Sequence, residues 1–117
     1  MKRLLPLVAL LVVQAVAFAG ETITPEQAKD YVGQTVTVTG KVAEVTEHNG
    51  NIFINFGAKY PRQPFYGFVA SRDANYLDGK LTFQALQGQT ASITGEVKLY
   101  KGKPEIVITK EDQVKAD

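Results

Sequence analysis

The sequence predicts an all-β domain, a five-stranded barrel with a short N-terminal helix and a second short helix between the third and fourth strands. Three observations carry that prediction. Apolar and polar residues alternate with a period of two in stretches bounded by glycine, proline and asparagine turn signals, the pattern of half-buried strands. There are five such stretches, and one interval, between the third and the fourth, loses the alternation for long enough to hold a helix. A chain of 117 residues has room for a single domain only, the more so because its first nineteen residues read as an export leader.

The leader comes first. Met1 to Arg3 is positively charged, Leu4 to Phe18 is almost wholly apolar, and Ala17 and Ala19 place small residues at the −3 and −1 positions before Gly20. A signal peptide over 1–19, cleaved after Ala19, and a single domain over 20–117 are expected. The apolar run, broken by Pro6 and Gln14, falls short of the roughly 20 residues a membrane-spanning helix needs. The processed chain is therefore expected in the periplasm or secreted, without a membrane partner. It contains no cysteine, which excludes disulfides, zinc–thiolate sites, thiol nucleophiles and a lipoprotein anchor. Lys2 and Arg3 leave with the leader, so the 13 basic and 12 acidic side chains become 11 against 12, a net −1. That balance argues against a nucleic-acid binder driven by net charge.

Thr24-Pro25-Glu26-Gln27 combines a capping residue, a proline suited to the first helical position and a glutamine three residues after the cap, so a short helix is expected as far as Tyr31, with Gly33 ending it. From Gln34 the period is two: Val36, Val38 and Val42 share one face, and Thr35, Thr37, Thr39 and Lys41 the other. Beyond Val42 the apolar parity passes to Ala43 and Val45, which implies a bulge or sharp bend near Gly40 to Ala43. A strand bent there can serve two sheets. His48-Asn49-Gly50-Asn51 is a tight-turn signal leading to a second strand, Asn51 to Phe56. Gly57 to Pro64 is a loop, and Phe65 to Ala70 the third strand. In the interval that follows, Ser71 or Asp73 is read as capping a turn, Asp78-Gly79 as breaking it, and Leu81 to Leu86 as the second helix, packed through Leu81, Ala85 and Leu86. Gln89 to Leu99 alternates again, with Ala91, Ile93, Val97 and Leu99 inward. After a Lys101-Gly102-Lys103-Pro104 turn, Glu105 to Thr109 is the last strand.

The segment Gly33 to Val42 matches Gly88 to Val97 at six of ten positions. Only 29 residues follow Gly88, too few for a tandem duplication of the first half. The two segments read as strands that enter one barrel alike, each from a turn glycine and each with a second glycine where the strand passes close to its neighbours.

Five strands with a helix between the third and fourth is the order of an OB-fold barrel. The runs YVGQTVTVTGKVAEV (Tyr31 to Val45), NIFINFGAKYPRQPF (Asn51 to Phe65) and GQTASITGEVKLYKGKPEIVI (Gly88 to Ile108) resemble a family of small exported bacterial OB-fold domains, which occur alone or attached to secreted nuclease-type enzymes. The resemblance covers nearly all of the mature chain. It implies the fold and, by analogy within the family, nucleic-acid binding.

The residues offer little for catalysis. His48 is the single histidine and lies in a turn, so a histidine metal site is excluded; Ser71 and Ser92 stand in no nucleophile-elbow context. Micrococcal-type nucleases combine the same barrel with clustered acids and arginines, but Glu44, Glu47, Asp73 and Asp78 are scattered here. No enzyme activity, metal or cofactor is expected. A binding site is better supported, because the second and third strands carry apolar or aromatic residues on both faces, Phe53 with Asn55 on one side of the second and Tyr66 with Phe68 on one side of the third. On an OB barrel the outer face of these strands receives oligonucleotides or oligosaccharides, and exposed rings there stack on bases or sugars. The candidate ligand-binding residues are Phe53, Asn55, Tyr60, Arg62, Tyr66, Arg72, Lys98, Tyr100, Lys101 and Lys103, with the rings stacking and the cations meeting phosphates. The expected ligand is a single-stranded nucleic acid or another extended polyanion. The alternatives are self-association or docking to an envelope or secreted protein through the same face, and glycan binding.

Overall fold

The computed structural model describes residues 20–117, and the export leader expected over 1–19 lies outside the described residues. Thr24 opens a 3₁₀ helix, Pro25–Asp30, through a reciprocal cap: its hydroxyl accepts from Gln27 N at 3.3 Å, and its own N–H donates to Gln27 Oε1 at 2.9 Å. The strands are β1 (Thr22–Ile23), β2 (Thr35–His48), β3 (Asn51–Phe56), β4 (Phe65–Val69), β5 (Thr90–Glu96), β6 (Lys98–Tyr100), β7 (Lys103–Val107) and β8 (Val114–Ala116). One α-helix, α1, spans Ser71–Leu81.

The long β2 organises the sheet. Its first half, Thr35 to Lys41, pairs antiparallel with β5, and its second half, Val42 to His48, pairs with β3; the register slips between Val42 and Glu44. The extra residue at that bulge moves the buried side chains from Val36, Val38 and Val42 to Val45, which is the parity change visible in the sequence. Asn49 and Gly50 both have positive φ, as the two-residue β2–β3 turn requires.

The repeated segments turn out to be two strands of one ladder related by a local two-fold. Gly33 N donates to Val97 O as Gly88 N donates to Val42 O, both at 2.8 Å, and Val97 N to Gln34 O repeats as Val42 N to Gln89 O. The second glycines have the role expected of them: a Cβ on Gly40 would stand 2.6 Å from Pro25 Cγ, and one on Gly95 2.6 Å from Ile106 Cγ2.

The hydrogen-bonded order is β6-β7-β4-β3-β2-β5-β8, with β1 added parallel to β2. This is an eight-stranded sheet with an open pairing path, where a closed five-stranded barrel was expected. No ladder joins β5 to β7 among the described residues, and a side chain fills the place of one. Gln113 Nε2 donates to Thr94 O on β5 (3.0 Å) and Val107 O on β7 (3.1 Å), while its Oε1 accepts from Thr109 N (2.8 Å) and Lys110 N (3.0 Å). Gln113→Leu leaves these backbone groups without that partner and is expected to cost about 1–3 kcal/mol, read from the urea midpoint; an unchanged midpoint rejects the bridging role. The interior is filled by Val38, Ile54, Phe56, Phe65, Val69, Ile93, Ile106 and Ile108, all fully buried.

Three local expectations need correction. Asp78-Gly79 does not break the chain, because α1 runs through it, anchored by buried Ala74 and Leu77 three residues apart. An exposed glycine costs a helix only about 1 kcal/mol. The helix stops at Thr82, in the left-handed region, where Thr82 N reaches Asp78 O and Phe83 N reaches Asp78 Oδ1. The helix expected over Leu81 to Leu86 is a 3₁₀ turn, Phe83–Leu86, that buries Phe83 and Leu86 while Ala85 is exposed. Leu99 does not point into the core: it is 54% exposed on β6, the edge strand, beyond the last inward residue, Val97. Among the described residues no helix is long and apolar enough to cross a membrane.

Candidate functional site

The outer face of β2, β3, β4, β7 and β6 is laid out by register. One row runs Glu44, Asn55, Tyr66, Glu105, Lys98 across all five strands, and the next runs Thr46, Phe53, Phe68, Val107. Tyr100 and Lys103 pair at the β6–β7 end. Between these rows lies a concavity of about 270 Å³ lined by Asn51, Phe53, Tyr66, Phe68, Tyr100, Glu105 and Val107. Alternation places these residues outside because Ile52, Ile54, Phe65, Val69 and Ile106, at the opposite parity, are drawn into the core.

Three of the expected rings, Phe53, Tyr66 and Tyr100, therefore come together, and they differ in how much they show. Phe53 is half-buried, tilted at 43° to Tyr66 with centroids 5.8 Å apart and edge-on to Phe68 at 5.3 Å. Tyr66 is only 5% exposed. Burial, with the Glu105 carboxylate beside it, pushes its phenol far above the ordinary value, so it stays neutral. Tyr66 is thus a wall of the groove and not an open stacking platform, a correction to its expected role. Tyr100 is 55% exposed, with the Lys101 ammonium 5.4 Å from its ring centroid.

Two further expectations fail because the loop over 57–64 uses the residues itself. Asn55 is 1% exposed; its Nδ2 donates to Glu44 Oε2 at 2.9 Å, and its Oδ1 accepts from Gln63 Nε2 at 3.1 Å. It joins strand to loop and offers no atom to a ligand. The Lys103 ammonium is turned into the same loop, donating to Pro61 O at 3.0 Å and Gln63 O at 2.8 Å, so it is a clamp and not a phosphate contact. Glu44 Oε2 also accepts from Tyr60 N at 2.8 Å. Loop carbonyls and an amide need partners, and charged side chains from β2 and β7 are the nearest available. The loop so held presents Tyr60, 72% exposed, and Arg62 to solvent at the Glu44 end of the face. Arg72 lies at the other end, on the first turn of α1, where Ser71 N donates to Asn51 Oδ1; it stands 3.9 Å from Asp73. Lys98 and Lys101 are exposed along the β6 edge.

Phe68, Glu105 and Glu44 were missing from the expected set. Parity already placed Phe68 beside Tyr66, and the inward Pro104 and Ile106 imply an outward Glu105. Glu44 has no such sign, since its partners lie 11 and 16 residues away. Among the described residues no three His, Cys, Asp or Glu side chains are grouped so as to hold a metal ion.

Solved structures share this architecture. An OBody, AM1L10, bound to hen egg-white lysozyme is 18% identical over 76% of this chain and 84% of its own, with a TM-score of 0.56. Asparaginyl-tRNA synthetase from Pyrococcus horikoshii is 17% identical over 80% of this chain, with a TM-score of 0.55. The Stn1–Ten1 complex of S. pombe matches 71% of this chain and 57% of its own at 8% identity, with a TM-score of 0.53. The chain has an OB-fold. At these identities the likeness is one of fold, and this OB-fold spans only 22% of the synthetase. No protein-family model and no curated protein sequence matches the chain.

Proposed function

We propose that the chain is an exported, non-enzymatic OB-fold module that binds single-stranded nucleic acid or another extended polyanion on the outer face of β3, β4, β7 and β6. The observation that supports this reading is the groove itself: Phe53, Phe68 and Tyr100 gather around one concavity, while Lys98 and Lys101 are exposed on and after β6, Arg62 on the loop over 57–64 and Arg72 on the first turn of α1. Rings take bases by stacking whatever the sequence, and cations placed around them meet the backbone. A net charge near zero is compatible with such a site, because the positive groups are local.

Fluorescence anisotropy with labelled single strands tests the proposal. Four phosphate contacts imply an affinity that falls by roughly 10- to 50-fold between about 50 and 200 mM salt. Failure to bind more tightly than about millimolar at either salt rejects the reading. One observation favours a second reading, docking to a protein: an OBody similar to this chain is bound to lysozyme, and here Leu99 and Tyr100 are both more than half exposed at the free β6 edge. Light scattering and capture from a periplasmic extract separate the two, since a monomer that retains no protein excludes docking.

A further inference from the structure

Glu105 is the one charged side chain among the seven that line the groove. It lies between Tyr66 and Lys98 in register, on the floor strand β7. Tyr66 stands beside the carboxylate in register and in the lining of the groove, and no lysine or arginine comes within ion-pair distance of Glu105 among the described residues. A carboxylate has about four acceptor positions, and Glu105 lines the groove that the rings enclose. A phosphate is excluded from that space by like charge and belongs at the cationic margins. What fits beside Glu105 is a flat, neutral ring that offers N–H groups at its edge.

The nucleobases differ sharply in this respect. Guanine presents N1–H and the N2 amino group side by side, two donors for one carboxylate. Cytosine and adenine present a single amino group next to a ring acceptor. Thymine and uracil present one N–H between two carbonyl oxygens, which the carboxylate repels. Resting on the single-strand reading above, we infer that the groove selects guanine, with Glu105 accepting from its Watson–Crick edge while Phe53 and Tyr100 hold the ring and Tyr66 walls the groove beside the carboxylate. Reading of that edge is open only in single strands, where the base is unpaired.

The test compares three labelled oligonucleotides of about 12 nucleotides: all-thymidine, alternating thymidine–guanosine and alternating thymidine–cytidine. The thymidine–guanosine strand is expected to bind about 5- to 100-fold more tightly than the all-thymidine strand, with the cytidine strand between them. Glu105→Gln, which keeps one acceptor and loses the charge and the second, is expected to lower the ratio of thymidine–guanosine to all-thymidine affinity by about 5-fold or more. Equal affinity of all three strands for the unmodified protein, or an undiminished guanine preference in Glu105→Gln, overturns the inference while leaving single-strand binding in place. Binding of none of them overturns the underlying reading instead. The comparison on the unmodified protein decides the matter even if the variant does not fold.

Discussion

The double substitution Phe53→Ala/Tyr100→Ala is expected to remove detectable single-strand binding. Each ring lost from a stacking platform costs about 1–3 kcal/mol, so the pair lowers affinity by a factor of roughly 30 to 25,000. The two positions differ in what else they touch, and that difference makes the result interpretable. Tyr100 is more than half exposed on the edge strand, so Tyr100→Ala alone should weaken binding with no change in the thermal midpoint. Phe53 also packs on Tyr66 and Phe68, so its removal lowers both stability and affinity. Anisotropy read beside thermal unfolding separates the effects. Unaltered affinity in Tyr100→Ala, with the fold intact, means that no ligand lies across this ring.

Phe56→Ala is expected to be the most damaging core substitution, at about 3–5 kcal/mol, a large part of the 5–15 kcal/mol that holds a domain of this size together. Phe56 is fully buried, lies opposite Val42 at the bulge of β2, and packs on Phe65 with centroids 5.4 Å apart. A Cβ built on Gly40 would stand 3.7 Å from its ring. The ring therefore occupies the inside of the bend through which one strand serves two ladders. Both halves of β2 and the 3₁₀ helix over Gly40 close on it, and none can collapse into the space it leaves without opening the bend. Urea unfolding measures the loss; a cost under about 1 kcal/mol would mean that the bend relaxes freely, contrary to close packing.

Residue by residue, legibility in the sequence followed the range of the interaction. Thr24 and Gln27 cap each other across three positions, and the motif was readable because both partners lie in it. The bulge was readable from the parity of Val42 and Val45, and the Asn49-Gly50 turn from the positive φ that glycine and asparagine tolerate. Alternation set Phe53 with Asn55 and Tyr66 with Phe68 on one side of their strands; the burial of Ile52, Ile54, Phe65 and Val69 decided that this side is the outer one. Helix α1 was missed because Ser71 to Leu81 contains Asp78-Gly79, and tertiary burial of Ala74 and Leu77 overrides that local preference. Leu99 was misplaced because alternation has no information on where a strand passes the rim of the core.

Alternation, turn chemistry and the repeated Gly-Gln-Thr segments were enough to determine that this chain forms a bent-strand β-structure of OB type, because each rests on backbone preferences and side-chain periods of a few residues. The tertiary structure alone decided which of the exposed-looking groups remain available. Asn55 and Lys103 are consumed by the loop over 57–64, Tyr66 becomes a buried wall, and Gln113 takes the place of the missing β5–β7 ladder. Those outcomes depend on hydrogen-bond partners brought together by folding from up to 42 residues away, and a buried polar group takes whichever partner the fold sets beside it.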